Sequence, residues 1–120
     1  MSAEFLSPLE VSREKDLGWR LLRPFIFKSE VLKQTIFVPA GYVTDFASVP
    51  RLPLAFLLTG DHAHESAVIH DYLVEYQAVP RPVADRVFLE AMEVEGVSWW
   101  RRKLMYAAVR TYTVFTEALS

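Results

Sequence analysis

The segment Val79-Pro80-Arg81-Pro82 constrains this chain more than any other. Proline has no amide proton to give a helix and restricts the residue before it, so no helix runs through this point. A helical pattern lies on either side. Before the break, Asp61 offers an N-cap for a helix from about His62 to Gln77, with Glu65 in the first turn, where the helix dipole favours acid. After it, Pro82 suits the first turn of a second helix that runs to about Glu95 and stops at Gly96. So short a break predicts an antiparallel pair.

On the first helix Ala63, Ala67, His70 and Val74 share one face and Val68, Tyr72 and Tyr76 another. His70 therefore lies on a stripe of small residues that lets a second element come close, and Asp71 is turned one residue away from it. His62 and His64 are expected to be exposed in the first turn. The second helix offers Ala84, Val87, Phe88, Ala91 and Met92 to the core. Asp85 lies one turn into it, where simple register sets it nearer Val74 than His70 and a wide loop slides it back by a turn. Ser98 is placed to cap a third helix from Trp99 to about Ala118, with Trp100, Leu104, Ala107, Ala108 and Thr111 on one side. Arg101, Arg102 and Lys103 crowd its first turn, where the dipole disfavours cations. A solvated face is the commoner explanation of such a cluster, and a phosphate- or partner-facing patch the alternative.

Upstream the pattern changes. Between Phe5 and Asp45, aromatic and β-branched residues alternate (Thr35 and Phe37 against Ile36 and Val38) and are punctuated by Gly18, Pro24, Pro39 and Gly41. This reads as a short antiparallel β-meander. Pro8 and Pro24 donate no ladder bond and belong on edges or kinks. Leu52 to Leu58 is a short apolar segment that suits a helical turn. The expectation is a single α+β domain over 1–120, β-rich to about 48 and helical from about 50 to 118, with three main helices. At 120 residues and 52% hydrophobic, such a chain builds one core and has no length for a second domain.

Charge and composition remove several functions. A net charge of -2 and a pI near 5.9 give no positive field for nucleic acid. With no cysteine there is no thiolate nucleophile, cysteine-based zinc site or disulfide. No glycine pattern of a nucleotide-binding loop and no serine elbow occurs. The N-terminus lacks the basic and apolar regions of a signal peptide, and no apolar run reaches membrane-spanning length.

What remains is His70-Asp71, with Asp85 and Asp45 as further carboxylates. A histidine oriented by a carboxylate can serve as general base, giving His70 and Asp85 a catalytic role. Asp71 and Asp45 can hold a divalent cation, calcium or zinc, and His70 can join them on a transition metal. The structural alternative is a buried His70 satisfied by Asp85, which pins two helices together. Asp45 and Ser48 also suit helix capping, the commoner role for such residues.

The blocks GYVTDFASVPR, SAVIHDYLVEY and RPVADRVFLEAMEVEGVSWWRRKLMYAAVR resemble the domain-of-unknown-function family thirteen fifty-three, over roughly residues 36–110. The resemblance implies a small bacteriophage or prophage protein, placed in the host cytoplasm or the virion. A second similarity, of arrangement, is to secreted phospholipases A2. They carry a His-Asp pair on one helix and an Asp on the next antiparallel helix. It implies His70 as base, Asp71 as calcium ligand and Asp85 as orienting group. The chain differs in having no cysteines, Val74 where those enzymes have tyrosine, and Gly41 to Pro50 in place of their glycine-rich calcium loop. Two functions are thus expected: a metal-assisted hydrolase-like site, or a non-catalytic virion component or inhibitor that binds a host or phage protein, with Trp99, Trp100 and Tyr106 as its aromatic surface.

Overall fold

The computed structural model describes residues 2–14, 18–44, 64–76 and 78–119. Six short strands precede three helices: β1 (Glu4–Phe5), β2 (Val11–Glu14), β3 (Gly18–Leu21), β4 (Phe25–Ser29), β5 (Gln34–Val38), β6 (Val43–Thr44), α1 (His64–Glu75), α2 (Arg81–Glu95) and α3 (Trp99–Leu119). The α+β order is the expected one. The strands do not form one meander, however. They sort into two antiparallel three-stranded sheets, β1-β4-β5 and β2-β3-β6.

Alternation explains the first sheet. On β4, Phe25, Phe27 and Ser29 point inward, and on β5 Ile36 and Val38 do so while Phe37 faces solvent. The hairpin registers Phe25 on Val38 and Ser29 on Gln34, and Phe5 of β1 lies across from Phe27. In the second sheet, Leu21 enters the core while Arg20 faces out and pairs with Glu14. Gly41, at φ 88°, makes the turn that brings Tyr42, Val43 and Thr44 back along β3. That return places Tyr42 and Thr44 against α1.

The helical half follows the proline break. Pro82 lies in the first turn of α2, and Gly96, at φ 87° in the left-handed region, ends it with its amide on Glu93. Helix α1 packs on α2, and α2 on α3. Ala67, Ala84 and Ala91 have no exposed surface, and their small size lets the helices approach closely around Phe88, Met92, Met105 and Val109. The start of α1, with the proposed Asp61 cap, and the segment Leu52 to Leu58 lie outside the described residues.

The spacing on the third helix marks a side without assigning it to core or solvent. The side formed by Trp100, Leu104, Ala107 and Thr111 is exposed, while Met105 and Val109 on the opposite side are buried. The face that α3 buries is that of Met105 and Val109, and Arg110 beside them reaches Asp85.

Candidate functional site

Three polar side chains, His70, Asp85 and Asp71, lie in the interior between α1 and its neighbours. His70 and Asp85 have no exposed surface and Asp71 has 4%. Two local features place them. His70 follows Ala67 by one turn on the face of α1 turned to α2, and Asp85 follows Ala84 near the start of α2. The result is a contact of 2.7 Å from His70 Nε2 to Asp85 Oδ1. The register expectation, with Asp85 beside Val74, is therefore overturned. Close alanine packing lets α2 return directly along α1, and the carboxylate meets the ring.

The other oxygen of Asp85 accepts a hydrogen bond of 2.8 Å from Arg110 Nη1 on α3. One carboxylate thus ties all three helices. A carboxylate engaged by a guanidinium accepts but does not donate, so Nε2 carries the proton of the His70–Asp85 bond. Arg110 supplies the countercharge under which a buried carboxylate is tolerable. The Phe88 ring packs 5.0 Å from the His70 ring.

Asp71 belongs to a second group, on the side of α1 that meets β6. Its Oδ2 accepts from Thr44 Oγ1 at 2.6 Å and lies 2.9 Å from the Tyr42 hydroxyl, which is also 2.8 Å from Glu75 Oε2. A phenol has one proton, so it donates to only one of these carboxylates. Burial, then the charge of Asp71, drives the Tyr42 pKa above its ordinary value. The hydroxyl stays protonated as a donor. Tyr42 also packs edge-on against Tyr72 at 5.3 Å, which fixes the ring over α1.

A third polar group closes the far end of the helical pair. Glu95 Oε1 accepts from the Ser66 amide at 2.9 Å and the Ser66 hydroxyl at 2.6 Å. Burial and a hydrogen bond with Glu65 push the Glu95 carboxyl up to about 7, against the opposing pull of the Ser66 donors.

Of the expected site residues, the structure brings His70 and Asp85 together and leaves Asp71 on the adjoining face with Tyr42 and Thr44. Asp45 and Ser48 lie outside the described residues. Among the described residues no cluster of three metal-ligating side chains occurs. His64 is not a fully exposed surface residue: it is half-buried and lines a small apolar hollow with Leu9, Val11, Trp19 and Val68. A larger groove of about 300 Å³ runs along the β4–β5 hairpin beside Lys28, Glu30 and Lys33. Neither hollow is lined by His70, Asp71 or Asp85.

Sequence reasoning missed Arg110, Tyr42, Glu95 and Glu90. Glu90 accepts from Ser29 Oγ at 2.7 Å and from the amides of Glu30 and Val31 at 2.9 and 3.1 Å, so α2 caps the β4–β5 turn. Its partners are about sixty residues away, and no local spacing marks it. Arg110 carried one available signal: a lone cation between Val109 and Thr111, well beyond the basic cluster of the first turn.

The chain belongs to the family described as protein of unknown function (DUF1353), whose model matches residues 19–109. A stretch of 78 residues is 35% identical to the uncharacterized protein y4jT of Sinorhizobium fredii (strain NBRC 101917 / NGR234), covering 62% of this chain. The chain spans 23% of the length of that curated relative. No solved structure matches it. No described helix is long and apolar enough to cross a membrane.

Proposed function

We propose that this member of the DUF1353 family is a non-catalytic binding domain, in which Arg110, Asp85 and His70 hold the helices together and the outer face of α3 meets a partner. The single observation that carries this reading is the hydrogen-bonded chain from Arg110 to Asp85 to His70, with no exposed surface on His70 or Asp85. A general base must come within hydrogen-bond reach of a substrate or its water. Here both residues are committed inward. The phage or prophage setting implied by the family resemblance belongs to the same proposal, as a virion component or an inhibitor of a host protein. Gene neighbours in tail, lysis or early regions bear on it directly.

The test is substitution. His70→Ala is expected to lose about 3 kcal/mol in urea unfolding, because it opens a cavity and leaves Asp85 one partner short. It is expected to change no hydrolytic rate on ester, phosphodiester or glycan substrates. A variant as stable as the parent that has lost such an activity would sink the proposal.

One observation favours a second reading, a metal-assisted hydrolase. His70 Nε2 meets the Asp85 carboxylate at 2.7 Å, the arrangement of a histidine oriented by a carboxylate, and Asp71 is the adjacent residue. In that reading His70 is the base, Asp85 its orienting group, and Asp71 and Asp45 hold calcium or zinc. Calorimetric titration of chelated protein with each metal separates the two readings: the binding-domain reading expects no heat from either.

A further inference from the structure

We propose that Arg81, at the start of α2, binds a small oxyanion, a carboxylate or a phosphate group. The site is separate from the outer face of α3. Arg81, Ala84, Asp85 and Phe88 recur at spacings of three and four residues, so they share one side of α2. Ala84, Asp85 and Phe88 have no exposed surface. Arg81 is the first member of that row and is itself partly buried. Its Nη1 is enclosed and has no hydrogen-bond partner. An arginine stem is long enough to carry the guanidinium out to water, so reach does not force a donor inside. An enclosed donor without an acceptor costs stability, and an ion that completes it explains why the fold keeps it there. The residue retains some surface in solvent, the access that an ion needs.

The neighbouring carboxylates are engaged elsewhere. Asp85, one turn along α2, meets His70 Nε2 through Oδ1 and Arg110 Nη1 through Oδ2. Glu75, the last residue of α1, is 2.8 Å from the Tyr42 hydroxyl, with which Asp71 also bonds on the side of α1 that meets β6. An arginine four residues before an acid is also the less favourable order for a helical ion pair. The junction of the three helices thus carries two guanidiniums, Arg81 and Arg110, around the one carboxylate of Asp85.

The backbone adds to the same sign. The first turn of α2 has no acidic residue, and Pro80 gives it no side-chain cap, at the end where the helix dipole favours negative charge. A planar guanidinium fork matches the paired oxygens of a carboxylate or a phosphate. Pro80 and Pro82 fix the backbone on both sides of Arg81, which lowers the entropy lost when an ion orders it.

Titration of the isotope-labelled full chain with inorganic phosphate and, separately, with acetate, at constant ionic strength set by chloride, tests the site by nuclear magnetic resonance. Saturable shifts of the Arg81 Nε–H signal and of the Val83 and Ala84 amides are expected, with Kd of ~1 mM or tighter for at least one ion. The tighter of the two names the class of ligand. Arg81→Gln is expected to abolish these shifts while Tm stays the same or rises, because the unpaired charged donor leaves with the guanidinium. Arg81→Lys keeps the charge without the fork and is expected to weaken binding at least ~10-fold, which decides the matter should the glutamine variant fail to fold. No saturation by either ion up to ~20 mM overturns the site, as do shifts that chloride alone reproduces or that persist in both variants. A wild type that binds neither ion, with an Arg81→Gln variant of lowered Tm, assigns Arg81 to packing and overturns it as well.

Discussion

The two faces of α3 obey opposite rules. Its inner face carries a cation, Arg110, beside Met105 and Val109, whereas its outer face presents Trp100, Leu104 and Val114 to solvent. Hydrophobicity alone would place these groups the other way round. The difference is in partners. Arg110 finds a carboxylate at 2.8 Å whose second oxygen meets His70, so the buried carboxylate has its countercharge. The outer face leaves Leu104 at 50% and Val114 at 55% exposed, the apolar surface that the proposed partner contact would cover.

The comparison breaks most sharply at Asp85. Asp85→Ala removes the acceptor shared by two donors and is expected to cost about 3 kcal/mol, read by urea or thermal unfolding. That figure is the lower end for a buried pair, because the Arg110 side chain is 29% exposed and can recover some hydration. A loss below about 0.5 kcal/mol, the scale of an ordinary surface change, would erase the distinction between the faces.

Glu95 tests the interior by pH. Its carboxyl rises from 4.5 to about 7 on folding, so the folded state holds the proton more tightly than the unfolded chain. Its contribution is complete below about pH 4.5, falls as pH rises through about 7, and is constant above. The expected loss over that window is about 2 kcal/mol, discounted for partial exposure. Glu95→Gln is expected to flatten this segment of the stability curve. An unchanged slope would assign the titration to another group.

The smallest effect is expected at Glu90. Glu90→Ala releases the Ser29 hydroxyl and two backbone amides at the edge of the fold, where water can replace the carboxylate. The expected cost is about 1–2 kcal/mol, with faster amide exchange at Glu30 and Val31 as its local signature.

Much of the fold was legible from local rules. The Pro80-Arg81-Pro82 break, the stop at Gly96 and the faces of α2 all follow from backbone chemistry and helical spacing, and the structure has them where those rules place them. The division of the strands into two sheets was not legible, because β1 pairs with β4 across the intervening β2 and β3, a non-local choice that alternation along a strand does not encode. The site divides in the same way. His70 and Asp85 stood out as polar residues in apolar helices, yet their contact at 2.7 Å depends on how closely alanines let α1 and α2 approach. The apolar line on α3 was visible, but its orientation was not.

By itself, then, the sequence determined an α+β chain with a helical hairpin, a histidine on its inner face and an apolar line along the last helix. These are consequences of proline, glycine and periodicity, which act over a few residues. Only the tertiary structure decided that Arg110 would reach inward, that Asp85 would join three helices, and that Glu90 would cap a distant β-turn. Those are pairings between groups separated by fifteen to about sixty residues. Their energy comes from compensating charge and satisfying hydrogen bonds away from water, and that compensation exists only once the chain has closed around them.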